Sequence, residues 1–474
     1  MSLYFLFLQF LNKAVVLFNK YMLIAIVVIF FYIVYIFIIM GGGNDKKGKH
    51  VRGAKLIDLT KKSLNFKRIF KKIKQKNNES IYLGDVELHR QDEDKQNIIL
   101  GRPGSGKTTI YNDIIQTLID RGERGLIYDE KSAFIQKFYD PSKDLILNIA
   151  DARSLNWTLS NEINDKVDLV SIAKSLIPDP PAGVETHWNE TARAIFIAVM
   201  RTGIKSGHAK NQEIFRGLSQ KVDDIKVLLE EVGAPEVIHI SNSKNASDVM
   251  STLMTYINWL EFIEDGDFKI KDFIDNTDKR FIFIANSKKI KDTQKPLLTL
   301  FIDYFSKIFL SLPDSNDRRM YVLLDEFGTL NRLDSIVDML VTGRSKGLRV
   351  FSGMQAVGQI DNLYNENVRN TIINCCSNII LLAQNDPATA KLCSEIVGSP
   401  EIWEQSKSND MSGGESEQSQ KQLKALVIPN EFQNLDNLTA YVRILKNWQF
   451  TKIKRTNYPD KNEAFILKEK IFQL

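Results

Sequence analysis

A glycine-rich stretch constrains the fold of this chain more than any other feature. Residues 98–109 are IILGRPGSGKTT, which fill the pattern GxxxxGK[ST] between a short apolar run at 97–100 and a helix-like stretch at 109–119. Phosphate oxygens can approach the backbone closely only where glycines replace side chains, and the N–H groups at a helix N-terminus then face the anion. The pattern therefore predicts a strand, a phosphate-binding loop and a helix of an α/β fold.

The phosphate loop predicts the cofactors as well as the fold. Lys107 supplies a positive charge to the β- and γ-phosphates, and the hydroxyl of Thr108 is a ligand for Mg²⁺. We therefore expect ATP and Mg²⁺ to bind here, and a chance glycine-rich turn is the alternative. The expected nucleotide-binding residues are Gly101, Arg102, Pro103, Gly104, Ser105, Gly106, Lys107, Thr108 and Thr109.

An acidic pair follows another predicted strand. Residues 320–330 are MYVLLDEFGTL, in which the apolar run at 321–324 is typical of a strand buried on both faces. Asp325 and Glu326 stand at its carboxyl end, where ligands bind in open α/β sheets. We expect Asp325 to hold Mg²⁺ through water and Glu326 to polarise an attacking water, so that the nucleotide is hydrolysed.

Two further polar residues are candidates for catalysis. Gln355 follows a predicted strand at 349–354 and is placed to contact the γ-phosphate, with a buried core amide as the alternative. Arg344 lies in the sequence GRSKG at 343–347 and is a candidate arginine finger for a neighbouring subunit's site, with a solvated surface arginine as the alternative. The predicted catalytic residues are Lys107, Glu326, Arg344 and Gln355.

Residues 1–40 are predicted to be a transmembrane anchor. Residues 21–40 carry no charge, and a helix of this length spans the hydrocarbon core of a bilayer. The apolar stretch at 2–18 is either an interfacial helix or part of a first span. Residues 41–76 form a basic linker with 13 Lys and Arg, and the positive-inside rule places it and the bulk of the chain in the cytoplasm. The net charge of +5 arises in this linker and gives no reason to expect nucleic-acid binding by the rest of the chain.

The remainder of the chain is predicted to be a nucleotide-binding core interrupted by helices. Three more strand candidates continue the α/β pattern, at 125–128, 145–149 and 281–285. Between them, apolar residues at helical spacing indicate successive helices. We therefore predict a nucleotide-binding domain over 77–180 and 277–474, with an inserted all-α domain over 181–276.

Two segments near the C-terminus have opposite patterns. Residues 404–422 are rich in Ser, Gln and Glu without periodicity, which predicts a mobile loop. Residues 438–453 alternate between apolar and polar, which predicts two strands joined by a turn at 446–447.

Together these motifs resemble the conjugative coupling proteins, of the TraD type, of type IV secretion systems. The resemblance runs from about residue 80 to the C-terminus. Besides the motifs around Lys107 and Asp325, it is carried by residues 128–163, 187–193, 323–355 and 426–444.

The resemblance implies a RecA-like P-loop NTPase core with an inserted all-α domain, assembled as a hexamer at the bacterial inner membrane. It also implies that ATP hydrolysis drives single-stranded DNA, with its attached relaxase, towards the channel proteins of the secretion system. Lys107 and Thr108 match the family's Walker A motif, Asp325 and Glu326 its Walker B motif, and Gln355 its strand-end glutamine. One departure is the N-terminus, where one span is predicted and the family usually has two.

Three alternatives stay open at this point. The first is the same motor with protein effectors alone as cargo. The second is a DNA translocase of the FtsK kind, although that family normally carries several spans and a C-terminal DNA-reading domain. The third is a membrane-docked recruitment platform that uses the nucleotide as a switch. Glu326 argues against the third, because a site that only binds needs no activator of water.

Overall fold

The computed structural model describes residues 49–60, 79–180, 186–231, 243–275, 278–286, 288–409 and 415–469. The predicted span at 21–40 and most of the predicted basic linker lie outside these residues. Within them, no helix combines the length and the apolar character that a membrane crossing requires.

The strands are numbered along the chain. They are β1 (Lys49–Arg52), β2 (Leu56–Asp58), β3 (Ile81–Leu83), β4 (Val86–Leu88), β5 (Asn97–Leu100), β6 (Gly125–Asp129), β7 (Leu145–Leu147), β8 (Phe281–Ala285), β9 (Met320–Leu324), β10 (Leu348–Met354), β11 (Asn378–Leu381), β12 (Glu401–Asn409), β13 (Glu415–Leu423), β14 (Thr439–Ile444) and β15 (Asn447–Lys452).

The α-helices are numbered in the same way. They are α1 (Lys107–Asp120), α2 (Ala133–Phe138), α3 (Lys166–Leu176), α4 (His187–Ser206), α5 (Asn211–Leu218), α6 (Val222–Glu231), α7 (Ser243–Ile257), α8 (Ile270–Asp275), α9 (Lys291–Leu310), α10 (Ile336–Val341), α11 (Gly343–Lys346), α12 (Val357–Tyr364), α13 (Glu366–Cys375), α14 (Pro387–Val397) and α15 (Pro429–Gln433).

A ten-stranded mixed sheet organises most of these elements. Its order is β2-β15-β14-β11-β5-β10-β9-β6-β8-β7. The strands from β11 to β7 are parallel to their neighbours, whereas β14 and β15 extend the sheet by antiparallel pairing. Every residue of β5, β9 and β10 is buried, as expected for parallel strands covered on both faces. The chain therefore has the predicted α/β architecture.

The helix after the glycine-rich loop is fixed to the sheet by its apolar face. Residues three or four positions apart share a face of a helix, and burial of each large apolar side chain contributes about 1.5–3 kcal/mol. Four such residues of α1 are fully buried, namely Ile110, Ile114, Ile115 and Leu118. This packing fixes the start of α1, at Lys107, relative to the sheet.

The described elements between β7 and β8 are helical, as the sequence predicted. Helices α3 to α8 occupy this interval, and Phe273 of α8 packs on Phe305 of α9 with ring centroids 6.4 Å apart. The segments that connect the helices add further aromatic contacts. Trp157 stacks on Trp259 with ring centroids 6.3 Å apart, and it meets Phe301 of α9 edge-on at 5.3 Å. The boundaries given above for an inserted domain stay predictions.

The described part of the polar segment, residues 404–409 and 415–422, does not form the loop that the sequence predicted. β12 and β13 pair there as an antiparallel hairpin of nine residues each, and β1 pairs with β12 to form a three-stranded sheet. The loop prediction was wrong because backbone N–H and C=O groups pair whatever the side chains are. Residues 404–409 and 415–422 are polar at every position, so the sequence has no apolar alternation that would reveal the pairing.

The C-terminal hairpin is confirmed, with a small shift. β14 and β15 pair in antiparallel register from Thr439↔Lys452 to Ile444↔Asn447. The turn falls at 445–446, one residue earlier than predicted, and Leu445 takes a φ of 63° there. β11 was not predicted, although its sequence NIIL repeats that of β5, beside which it lies.

Candidate active site

The carboxyl ends of three neighbouring strands meet at one edge of the large sheet. Parallel pairing sets Met354 of β10 opposite Leu100 of β5, and Ser352 of β10 opposite Leu324 of β9. The next residues along the chain are Gly101, Asp325 and Gln355. Two motifs separated by more than two hundred residues therefore lie side by side, as the sequence predicted.

The loop between β5 and α1 requires glycine at particular positions. Gly104 and Gly106 have φ angles of 77° and 120°, which side-chain-bearing residues rarely adopt. At Gly101, an added Cβ would lie 2.5 Å from Ser105 Oγ, which itself donates to the carbonyl of Arg102 at 2.7 Å. The turn is thus closed by its own contacts. Among the described residues, no atom beyond Gly104 and its two chain neighbours lies within 4 Å of the position of a Cβ on Gly104. The loop leaves open the space in which a phosphate would sit.

Lys107 is held inside this loop. Its Nζ donates to the carbonyl oxygen of Gly101 at 2.6 Å, and the side chain is buried. Burial lowers the pKa of Lys107, while the charges of Glu326 and Asp325 act in the opposite direction. The cation is therefore poorly solvated and faces two carboxylates, so that an incoming phosphate would interact with it strongly.

Asp325 has the features of a residue that could hold a metal ion. Its Oδ1 is buried and has no hydrogen-bond partner among the described residues. Burial raises the pKa of Asp325 to about 6, against the opposing charges of Lys107 and Lys131. A buried carboxylate oxygen without a donor is costly, and a metal-bound water would satisfy it. Thr108 is exposed on the same cavity, so the two predicted Mg²⁺ ligands fit the ion.

Glu326 is oriented by a neighbouring strand end. Gln355 Nε2 donates a hydrogen bond to Glu326 Oε2, which links the predicted water activator to the predicted strand-end amide. Burial raises the pKa of Glu326 to about 7, and the charge of Glu130 acts in the same direction. A carboxylate with this pKa is suited to accept a proton near neutral pH.

These side chains line one cavity of about 350 Å³. It holds the phosphate loop, the acidic pair and Gln355, together with four residues that the sequence did not suggest. Its lining residues are Arg102, Pro103, Gly104, Gly106, Lys107, Thr108, Thr109, Lys131, Asp325, Glu326, Gln355, Asn437, Leu438 and Arg455. Gly101 and Ser105, which were also predicted to bind the nucleotide, are not among the lining residues. They contact each other and Arg102 within the loop.

The four unexpected residues are Lys131, Asn437, Leu438 and Arg455. A signal for Lys131 exists in the sequence, because it follows the carboxyl end of β6, where ligands bind in such sheets. Asn437, Leu438 and Arg455 flank the C-terminal hairpin and carry no local signal. The hairpin reaches the site only because β14 pairs with β11. The guanidinium of Arg102 confirms this proximity, since it donates to Asn437 Oδ1 at 3.1 Å and to Asn385 Oδ1 at 2.7 Å.

Arg344 does not line the cavity of its own chain. It lies on the short helix α11, is largely exposed, and its Nε contacts Asp94 Oδ2 at 3.1 Å. This placement excludes a role within the same subunit's cavity as described. Its assignment to a neighbour's site stays a prediction.

A family model for the DNA-binding domain of type IV secretion-system coupling proteins matches residues 80–456. The coupling protein TraD of Escherichia coli (strain K12) is 23% identical over 381 residues, which cover 77% of this chain and 53% of TraD. The conjugal transfer protein TraG of Escherichia coli is 21% identical over 229 residues, covering 41% of this chain and 36% of TraG. The chain thus spans about half the length of the first of these relatives, and less of the second.

Solved structures show the same fold. The bacterial conjugative coupling protein TrwBdeltaN70, in its unbound monoclinic form, aligns with a TM-score of 0.78 and 24% identity over 90% of this chain and 98% of that chain. The plasmid coupling protein TrwB in complex with ADP and Mg²⁺ aligns with a TM-score of 0.77 and 23% identity, over 90% and 99% of the two chains. The likeness shows an α/β NTPase-like fold.

Proposed function

The chain belongs to the type IV secretion-system coupling proteins through their DNA-binding domain, and on this premise we propose that it is a membrane-anchored ATPase that moves DNA. ATP hydrolysis would drive single-stranded DNA, with its attached relaxase, to a type IV secretion channel in conjugation. The observation that carries the proposal is the convergence of Lys107, Asp325 and Glu326 on one cavity at the carboxyl ends of parallel strands.

The residues of the cavity suit ATP and Mg²⁺. TrwB has been solved with ADP and Mg²⁺ and with a non-hydrolysable ATP analogue, and we infer the same ligands here. The backbone of the phosphate loop and Lys107 would hold the phosphates, and Thr108 and Asp325 would hold the ion, which neutralises phosphate charge when bound.

Glu326 and Gln355 would act on the water. Glu326 accepts a proton from the attacking water, and its hydrogen bond with Gln355 holds the carboxylate at the edge of the cavity. Gln355 would exchange that bond for one with the γ-phosphate, so that loss of the phosphate would change the contacts at the end of β10.

The proposal assigns a role to each part of the chain. Residues 1–40 anchor it in the inner membrane, residues 41–76 form a basic linker, and the nucleotide-binding domain spans 77–180 and 277–474 around an all-α domain at 181–276. Six copies would form a ring on the cytoplasmic side, in which Arg344 would enter the neighbour's cavity. The family's DNA-binding domain, which matches residues 80–456, supports DNA as the partner.

ATPase assays on the full chain in lipid nanodiscs test the proposal. We expect Mg²⁺-dependent hydrolysis that single-stranded DNA stimulates at low salt, since phosphate contacts weaken as salt rises. Double-stranded DNA of equal length is the matched control. Hydrolysis without stimulation by either DNA would contradict the DNA motor and favour protein effectors as cargo, whereas stimulation by duplex alone would favour an FtsK-like translocase.

A further inference from the structure

The cavity has two walls, on opposite sides of the phosphate loop. In the sheet, β5 leads into the loop and has β10 and β9 on one side and β11, β14 and β15 on the other. Glu326 and Gln355 follow the first pair of strands. Asn437 and Leu438 precede β14, and Arg455 follows β15. Because the γ-phosphate must face Glu326, the nucleoside end of the nucleotide must face the second wall.

Backbone hydrogen bonds hold Leu438 in place in this second wall. Its N–H donates to the carbonyl of Ser105 at 2.9 Å, and its own carbonyl accepts from Ile453 N–H at 2.8 Å. These bonds hold Leu438 at a φ of 61°, which is unusual for a branched side chain. A Cβ on Gly106 would lie 2.9 Å from Leu438 Cδ2. The apolar side chain of Leu438 is thus fixed against the proposed phosphate loop. At this position it can pack against an uncharged part of a bound nucleotide.

Arg455 lines the same cavity as Leu438. It belongs to a segment that contacts the rest of the fold along its length. This C-terminal strap (residues 454–469) leaves β15 and crosses α1 and α2. Tyr458 donates to Asp113 Oδ1 of α1 at 2.8 Å, and its ring lies 5.3 Å from that of Phe138 of α2. Asp460 pairs with Lys137 of α2 at 2.6 Å. The backbone on both sides of Arg455 is therefore fixed.

The guanidinium of Arg455 is available to a ligand. Within the part of the chain that the structure describes, it has no hydrogen-bond or ion-pair partner, unlike Arg102, which is held by Asn385 and Asn437. A guanidinium is flat and weakly hydrated, and it stacks on aromatic faces. An exposed Arg at the rim of a nucleotide cavity, beside a fixed leucine, suits a nucleobase.

We propose that Leu438 and Arg455 form the base-binding wall of the nucleotide site. The purine packs on the isobutyl group of Leu438, and the Arg455 guanidinium stacks on the base. Of the C-terminal strap, Arg455 is then part of the nucleotide site. This inference rests on the proposed function, because it requires a nucleotide in the cavity.

Equilibrium binding to the full chain in detergent, with Mg²⁺ present, tests the assignment with two probes. ADP has a base and inorganic tripolyphosphate has none. Arg455→Ala should weaken ADP binding about tenfold and change tripolyphosphate binding less than twofold. Arg455→Lys keeps the charge but loses the flat surface, so it should weaken ADP binding to a similar extent. The KM for ATP should rise with kcat unchanged, because the contact is the same in the ground and transition states.

Two further variants separate the base contact from general effects. Lys454→Ala removes a neighbouring cation that faces Asp85 and a different cavity, and it should leave both probes unaffected. Leu438→Gly removes the apolar contact while keeping a residue that tolerates the positive φ, and it should weaken ADP binding selectively.

Unchanged ADP binding in Arg455→Ala would overturn the proposal. So would an equal loss of ADP and tripolyphosphate binding, or full rescue by Arg455→Lys, since each would make Arg455 a phosphate ligand. If the unmodified chain binds neither probe, the nucleotide site itself is refuted, and this outcome is distinct from a selective failure at the base.

Discussion

Lys107 Nζ lies 2.6 Å from the carbonyl oxygen of Gly101, six residues earlier in the same loop. The side chain thus links the two ends of the glycine-rich loop. When a nucleotide binds, Lys107 would exchange this hydrogen bond for a contact with a phosphate. Burial opposes the charged form of Lys107, whereas the charges of Glu326 and Asp325 favour it, so a bound phosphate would add to interactions that already offset the cost of burying this cation.

Replacing Lys107 with Met should separate function from stability. The side chain keeps its length but loses its charge, so we expect ATPase activity to fall at least a hundredfold, with ADP and tripolyphosphate binding both weakened. The melting temperature should not fall, because the variant removes a buried charge. A large drop in melting temperature would mean that Lys107 is a structural cation, and retained hydrolysis would contradict its assignment to the phosphates.

Glu326→Gln should bind ATP without hydrolysing it. The amide cannot accept the proton of the attacking water, and general-base catalysis is worth about 10²- to 10⁴-fold. We therefore expect kcat to fall by that factor, with ATP affinity within about threefold of the parent chain. Glu395→Gln, at an exposed position on α14, is the matched control. Equal effects of the two changes would contradict a catalytic role for Glu326.

The pH dependence of hydrolysis should reflect the same carboxylate. Since burial and the charge of Glu130 raise the pKa of Glu326 to about 7, the ionised base accumulates as pH rises through that value. We expect kcat/KM for ATP to rise with pH and level off above about 7. Glu130→Gln removes a neighbouring negative charge, which favours ionisation of Glu326, so the rising limb should move to lower pH. A limb that stays in place would show that Glu130 does not act on Glu326.

Local patterns in the sequence were sufficient to predict that Lys107, Asp325 and Glu326 meet at one edge of the sheet. Asp325 and Glu326 directly follow the apolar run of β9, and Lys107 follows that of β5 after the glycine-rich loop. Parallel strands bring their carboxyl ends to one edge of the sheet. The position of the proposed base-binding wall was not predictable from local patterns. Leu438 and Arg455 reach the loop through pairing between β14 and β11, a contact that no local pattern encodes.

The same distinction applies to the fold. Buried parallel strands such as β9 are recognisable because all their residues are apolar. The hairpin of β12 and β13 was missed because residues 404–409 and 415–422 are polar at every position, so no apolar alternation marks the two strands. β11 was missed although it shares the sequence NIIL with β5; Asn378 and Asn97 lie opposite each other there, with an amide hydrogen bond of 2.9 Å.

Two glycines on either side of Gln355 should respond oppositely to alanine. A Cβ on Gly353 would overlap the backbone carbonyl of Asp325, so Gly353→Ala must displace β9 from β10 and should destabilise the chain by about 1–3 kcal/mol. Gly358 lies in α12, and apart from the backbone of that helix and its two chain neighbours, no described atom lies within 4 Å of its Cβ position, so Gly358→Ala should stabilise the chain by about 0.5–1 kcal/mol. Thermal unfolding of both variants measures this. Equal shifts would show that β9 and β10 are not in close contact at the acidic pair.

Complementation between two inactive variants tests the proposed role of Arg344 in a neighbour's site. Arg344 is exposed, and among the described residues its side chain has Asp94 as its one hydrogen-bond and ion-pair partner. A surface ion pair of this kind contributes little to stability. If Arg344 acts across a subunit interface, Arg344→Ala and Glu326→Gln should each abolish hydrolysis in assembled chains. Mixing the two should then restore part of the activity, because some interfaces pair an intact Arg344 with an intact Glu326. Arg216→Ala, on α5 in the helical interval, should behave like the parent chain. Activity that stays absent in every mixing ratio, although the subunits are shown to exchange, would rule out the finger.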